Sequence, residues 1–318
     1  MADPVLAEQL GHTLAETHLD ALGERYRGKV RDVYHQRDRL FLVATDRLSA
    51  FDRVLTTIPF KGEVLNRLAQ FWFQKTAEVV KNHVLDVPDP NVTVARATTP
   101  FAVEVVVRGY LTGSLWRDVQ AGTSKPYGLA IPPDMRKDTA FPEPILTPST
   151  KAATGEHDQP LSEAEVVQRG IASARDWARI REAALALFRE GQAWARSRGL
   201  LLVDTKYEFG AIGDALYVID EMHTPDSSRY WRAARYEQHL AAEEDQEMLD
   251  KETVRQWLLR ETGFSGHGTP PVIPEEVRIR TAEVYLQAFA EITGAPLPLQ
   301  AGEAEPRIQR NLERHGYL

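Results

Sequence analysis

The chain contains no cysteine, which excludes disulfide bonds, cysteine-ligated zinc and a thiol nucleophile. No apolar run approaches the roughly 18 residues needed to cross a bilayer as a helix, so no membrane association is expected. The opening Met1-Ala2-Asp3-Pro4 lacks the charged and apolar regions of a secretory leader, and a soluble cytoplasmic protein is the expectation. The 9 histidines show no H-x-x-x-H or H-E-x-x-H spacing, which argues against a zinc hydrolase. G-x-S-x-G and the Walker G-x-x-x-x-G-K-[ST] are absent, and no G-x-G-x-x-G follows a strand. Basic charge is also short: 38 Lys and Arg against 46 Asp and Glu give a formal charge of −8. That balance does not suit a nucleic-acid surface, whose phosphates need clustered cations, although a small anionic substrate needs only a few.

What is present is an ordinary globular composition, 43 % hydrophobic and 26 % charged over 318 residues, enough for one large or two moderate domains. Tyr26 to Thr45 reads as a hairpin of two strands, turning at Gln36 to Arg39, with Arg27, Lys29 and Arg31 on one side of the first. A helix is predicted from Glu63, with Leu65, Leu68, Phe71, Trp72 and Val79 on one stripe. Val92 to Arg96 and the Val-rich Phe101 to Arg108 read as strands. Pro126 to Pro160 reads as a long irregular excursion. Ser162 and Glu165 form a capping box, and Trp177, Ile180, Ala184, Leu187 and Phe188 mark an amphipathic helix ending at Gly199. A second hairpin, Leu200 to Phe209 with Ala215 to Glu221, precedes a mainly helical tail. The mixture predicts an α+β fold.

Four segments could carry chemistry. Alternation places Asp204, Lys206 and Glu208 on one strand face, with Asp220 and Glu221 ending the neighbouring strand. Carboxylates on rigid strands suit magnesium, which takes a few carboxylates plus phosphate oxygens and water; an exposed, internally paired sheet face reads equally well. Arg27-Gly28-Lys29-Val30-Arg31 suits a triphosphate, its glycine permitting close backbone approach, or is a basic edge strand. Arg108 with Gly109-x-x-x-Gly113-Ser114 could hold a phosphomonoester, or is a strand-to-helix connection with a serine cap. Thr224 to Trp231, a turn followed by a cap on its face value, gains interest from lying next to the carboxylates.

Taken together the segments resemble the SAICAR synthase family. The blocks that carry the resemblance are Gly28 to Tyr34, Asp46 to Asp52, Glu104 to Leu115, Thr147 to Lys151 with Gly155 to Asp158, and Val203 to Gly210 with Asp220 to Trp231. They run in family order over roughly residues 26 to 232. The resemblance implies an enzyme, a carbon–nitrogen ligase that joins L-aspartate to the carboxylate of the ribotide CAIR using ATP and Mg2+, through an acyl phosphate. Such a reaction needs placed cations and fixed geometry more than a protein nucleophile.

It also implies roles. Lys29, Lys206 and Asp220 would be catalytic. Lys29, Arg31, Glu104 and Lys206 would bind ATP, with adenine near Arg96 to Phe101. Glu208 and Asp220 would hold the metal, arranged by Asp204 and Lys206. Ser49, Asp52, Arg108, Ser114, Lys151, Asp158, Asp226 and Arg229 would bind substrate, with Arg108, Ser114 and Arg229 on the 5′-phosphate. The implied fold has a kinase-N-lobe-like sheet lobe over residues 1–97 and a larger, ATP-grasp-like α+β lobe over 98–318 that includes the helical tail. The long excursion and the tail match the longer branch of the family, which leaves a monomer slightly favoured over the compact form's dimer. A kinase-like phosphotransferase using the same nucleotide site is the alternative enzyme, and a nucleotide-binding regulator the alternative outside catalysis.

Overall fold

The structure is a computed structural model that describes residues 4–51, 53–122, 127–151, 158–249, 252–266 and 268–318. It divides into two compact units, one made of residues 1–73, 83–97 and 249–318, the other of 74–82 and 98–248.

The first unit is built on a five-stranded antiparallel sheet in the order Arg25–Arg27, Arg31–Gln36, Arg39–Ala44, Val92–Arg96, Val84–Asp89. The expected single strand from Tyr26 is in fact two, since Arg27 pairs back with Asp32 and residues 28–30 turn the chain. Lys29 therefore sits on a turn, and Arg27, Lys29 and Arg31 do not share one strand face. Gly28 makes this possible, its N–H donating to the Arg31 carbonyl at 2.8 Å. The predicted helix runs Lys61–Lys75 and stops short of Val79.

Two apolar clusters hold this unit. Leu14, Tyr34, Phe41, Val43, Val92 and Val94 pack with Ile308 and Leu312, and Leu6, Leu48, Ile58 and Phe60 pack with Val254, Leu258, Phe264, Ile273 and Ala282. Helices Glu275–Thr293 and Ala304–Arg314 thus complete the core of the first unit, whereas the tail was expected with the larger lobe. Each buries an apolar stripe that the N-terminal elements leave room for. Arg307 adds paired bonds to Asp89 at 3.1 and 3.2 Å.

In the second unit the 13-residue strand Leu200–Ile212 is central. One edge pairs with Val103–Tyr110 and Thr99–Pro100, the other with Ser228–Arg232 and Ala215–Ile219. Because two strands share that second edge, the chain joining them passes the middle of the long strand, where Lys206 N–H donates to the Ser227 carbonyl at 2.9 Å. Val105, Val107, Tyr207 and Phe209 are buried, and helix Ala174–Ser197 packs against the long strand.

The stretch 126–160 was expected to be irregular, yet Ala140–Thr150 is an 11-residue strand paired with Val103–Tyr110. Pro142, Pro144 and Pro148 hid it. They are tolerated because this is the edge of the sheet, where a missing N–H costs no ladder bond. The Ser162–Glu165 capping box is present, but it starts a short helix, Glu163–Gln168, and Ser173 caps the long one separately.

Candidate active site

The central strand of the second unit arranges the side chains. Asp204, Lys206 and Glu208 alternate onto one face. On the neighbouring strand Arg108 stands opposite Asp204 and Val106 opposite Lys206, with Glu104 two residues further along the same face. The result is one polar stripe, cationic at the Arg108 end and acidic at the Glu208 end.

At the acidic end the Lys206 ammonium lies 2.5 Å from Glu208, 3.1 Å from Glu104 and 3.8 Å from Asp220. Lys151, at the end of the edge strand, reaches the other Glu208 oxygen at 2.5 Å. Burial favours a neutral Lys206, but the carboxylates of Glu208, Glu104 and Asp220 outweigh it and hold its pKa well above the ordinary value. Burial likewise pushes the Glu208 carboxyl up, and the two lysines more than reverse this, bringing it down to about 2. For Glu104 burial wins: its pKa is raised despite Lys206, with Glu208 and Asp158 adding to the rise. Asp220 follows the strand Ala215–Ile219 at a φ of 67°. Such a backbone is uncommon outside glycine, though Asp tolerates it better than most residues.

Do these residues fit magnesium? Among the described residues no cluster of three or more His, Cys, Asp or Glu could cage a metal by itself. Two carboxylates, Glu208 and Asp220, flank one ammonium, so the pair already stabilises a cation. A hard ion that draws its remaining oxygens from phosphate and water fits that donor set.

At the cationic end Arg108 is 5 % exposed and spends its guanidinium on three partners: Thr147 Oγ1 at 2.8 Å, Asp204 at 3.1 Å and Ser114 Oγ at 3.0 Å. Arg229, opposite Asp204 on the other edge, pairs with the same Asp204 oxygen. Two guanidiniums thus converge on one carboxylate at the start of helix Gly113–Gln120, whose cap residue Thr112 makes no side-chain bond to that helix. Gly113 is needed here: its φ is 61°, and a Cβ would stand 2.6 Å from the Arg229 guanidinium. This geometry suits a phosphomonoester, held by charge, a hydroxyl and a helix N-terminus together.

A buried layer supports the stripe from behind. Tyr207 Oη and His223 Nε2 are 2.5 Å apart, and Tyr230 Oη donates to the His223 carbonyl at 2.8 Å. Burial lowers the His223 pKa to about 3, so the ring is neutral and acts as a hydrogen-bonding strut for the chain between Asp220 and Ser228. No spacing rule singles out a lone histidine, and sequence reasoning passed over it.

The other expected residues divide as follows. Asp226 is half-buried in that connecting turn, and Asp158 is exposed, near enough to Glu104 to act on its charge. In the first unit Lys29 is exposed on its turn, Arg31 half-buried where the next strand begins, and Ser49 half-buried in a two-stranded ribbon, Arg47–Ala50 with Arg53–Thr57. Asp52 lies outside the described residues. Sequence reasoning missed Asp32 and Arg47 in the first unit, 0 % and 1 % exposed and paired at 2.8 Å; both belong to blocks that carried the resemblance, but nothing in their spacing showed that they meet.

A family model described as SAICAR synthetase matches residues 24–269. A phosphoribosylaminoimidazole-succinocarboxamide synthase from Cytophaga hutchinsonii is 43 % identical over 307 residues, 95 % of this chain and 98 % of its own. The enzyme of that name from Legionella pneumophila strain Paris is 41 % identical over 308 residues, 95 % of this chain and 98 % of its own. Among solved structures, SAICAR-synthase from Saccharomyces cerevisiae complexed with SAICAR aligns with a TM-score of 0.78 at 32 % identity, covering 90 % of this chain and 99 % of that one. A SAICAR synthetase in complex with ADP shares the fold at 24 % identity and a TM-score of 0.66, covering 86 % of this chain and 100 % of that one.

Proposed function

This chain belongs to the SAICAR synthetase family, and from that premise we propose how its side chains divide the work. The reaction joins L-aspartate to the carboxylate of CAIR with ATP, giving SAICAR, ADP and phosphate in purine synthesis. In our reading the terminal phosphoryl group passes to the CAIR carboxylate, and the aspartate amine then displaces phosphate from the acyl phosphate to form the amide.

Arg108, Ser114 and Arg229 grip the ribotide 5′-phosphate. Asp204 keeps both guanidiniums aimed at one point, so little ordering remains to be done on binding. About four strand residues, or roughly 13 Å, separate Asp204 from Glu208, a distance on the scale of a nucleotide, which sets the reacting carboxylate toward the acidic end. There Lys206 is a fixed, permanently charged donor for the oxygens on which negative charge gathers during phosphoryl transfer. Glu208 and Asp220 hold Mg2+, which supplies charge neutralisation for the triphosphate when bound. Lys29 and Arg31 hold the ATP phosphates, Glu104 supports Lys206 beside the nucleotide, and Ser49, Asp52, Lys151, Asp158 and Asp226 complete the substrate contacts. The enzyme works in the cytoplasm on small molecules, without nucleic acid or membrane.

The observation that carries this reading is the stripe itself: a phosphate-type cluster and a carboxylate–lysine cluster on the same face of the same strands. A coupled assay of ADP release with CAIR, with and without aspartate, tests it. ADP release that depends on aspartate and yields SAICAR is expected. Aspartate-independent release with a stable phosphorylated ribotide would instead make the protein a kinase-like phosphotransferase.

A further inference from the structure

The turn that carries Lys29 is held from inside by two residues to which nothing above gives a role in the reaction. Arg47 is 1 % exposed. Its Nη2 donates to the Gly28 carbonyl at 3.0 Å and its Nε to the Lys29 carbonyl at 3.2 Å. The next carbonyl, Val30, accepts from the Thr45 backbone N–H at 3.0 Å and from Thr45 Oγ1 at 2.8 Å. Three consecutive carbonyls are therefore drawn to one side by the segment Thr45 to Arg47.

A regular strand cannot do this, because its carbonyls alternate in direction. In a trans peptide the N–H points opposite to the C=O of the same unit, and no described peptide bond is cis. Pulling in the carbonyls of Gly28 and Lys29 thus turns the N–H groups of Lys29 and Val30 the other way, the side from which a turn receives an anion. Arg47 is itself fixed. Its remaining bonds run to the Ala15 carbonyl at 2.5 Å and to Asp32 at 2.8 Å. Asp32, 0 % exposed, also accepts from the Thr17 N–H at 2.8 Å and Thr17 Oγ1 at 3.1 Å. A guanidinium suits this work because its planar fork reaches several acceptors at once, which a lysine ammonium on a flexible stem cannot.

We infer that Arg47, seated by Asp32 and assisted by Thr45, is a positioning residue that holds the Gly28–Val30 turn in the form that receives nucleotide phosphates. It does not touch the nucleotide. The inference rests on the reading of Lys29 as a phosphate-binding residue, and the experiment separates the two.

Mg·ADP binding to the full chain is measured by calorimetry for wild type, Lys29→Ala, Arg47→Lys, Thr45→Val and the Lys29→Ala/Arg47→Lys double variant, alongside apparent KM values for ATP and CAIR. Arg47→Lys keeps a cation beside Asp32 but cannot span all its partners. It should weaken Mg·ADP by about tenfold, the equivalent of one good charge-assisted bond, and raise the ATP KM while leaving the CAIR KM within about twofold. Thr45→Val should act in the same direction by a few-fold. The double variant should lose less than the product of the single effects, because both act through one turn. If Lys29→Ala weakens Mg·ADP while both Arg47→Lys and Thr45→Val bind it as wild type, the positioning role is wrong and the assignment of Lys29 stands. If Lys29→Ala itself binds normally, the phosphate-binding assignment fails and the inference falls with it. Should Arg47→Lys not fold, Thr45→Val decides alone. An equal rise in the ATP and CAIR KM values would mark general damage and overturn the specific role.

Discussion

Replacing Lys206 by methionine removes a cation that Glu104, Glu208 and Asp220 share, with a consequence that can be sized. The Glu208 carboxyl is 8 % exposed and lies at about 2 against an ordinary 4.5. A depression of that extent corresponds to about 3 kcal/mol of charge-dependent stability. Two ammonium groups produce it, Lys206 first and then Lys151, so losing Lys206 should cost on the order of 2 kcal/mol near neutral pH. The cost has a definite pH course. A depressed carboxylate stabilises the fold fully above its unfolded value of 4.5, and the contribution disappears as pH falls through the folded value. In Lys206→Met the carboxylates repel one another and take up protons at higher pH. The stability gap between wild type and variant should therefore be widest at pH 7 to 8, narrow below the unfolded value of 4.5, and close only as the solution is taken through the folded value, about 2. Urea unfolding at a series of pH values measures it. A variant as stable as wild type at pH 8, or a gap that stays constant down to about pH 3, would refute the account of a lysine holding ionised carboxylates together. Turnover should fall by at least about a hundredfold in the same variant, the scale of one lost electrostatic donor.

Other expectations follow from individual contacts. Asp220→Asn should keep the circular dichroism of the wild type and lose ADP release, and near-normal release would remove Asp220 from the metal site. Gly113→Ala should destabilise by about 1 kcal/mol for its positive φ and push Arg229 aside, raising the CAIR KM while the ATP KM holds; an unchanged CAIR KM would mean that Arg229 does not bind the phosphate. At Gly191 a Cβ would stand 2.5 Å from His223 Cε1 and 2.6 Å from Leu202 Cδ2, so Gly191→Ala should cost about 1 to 3 kcal/mol by overpacking. A thermal midpoint within a degree or so of wild type would contradict the close packing of His223.

The local rules were enough for a good part of this protein. Alternation alone put Asp204, Lys206 and Glu208 on one face, because a strand leaves a side chain only two directions. The capping box at Ser162 and the stop at Gly199, whose φ is 73°, are likewise written in a few adjacent residues. Composition excluded whole classes of chemistry before any element was placed. What the chain could not disclose locally was partnership across long separations. The edge strand Ala140–Thr150 has three prolines and the look of a loop, and only its pairing with Val103–Tyr110 makes it a strand. Ile308 and Leu312 form an amphipathic stripe with no visible destination until Phe41, Val43 and Val94 supply one. Asp32 finds Arg47, and Tyr207 finds His223, because folding removes these groups from water and a buried polar group must then find whatever partner the topology brings within reach. Much of the secondary structure, and the face on which Asp204, Lys206 and Glu208 stand, was set by neighbours in sequence. Which carboxylates share a lysine, and which arginine braces a turn, was decided by burial and by the pairing of distant strands.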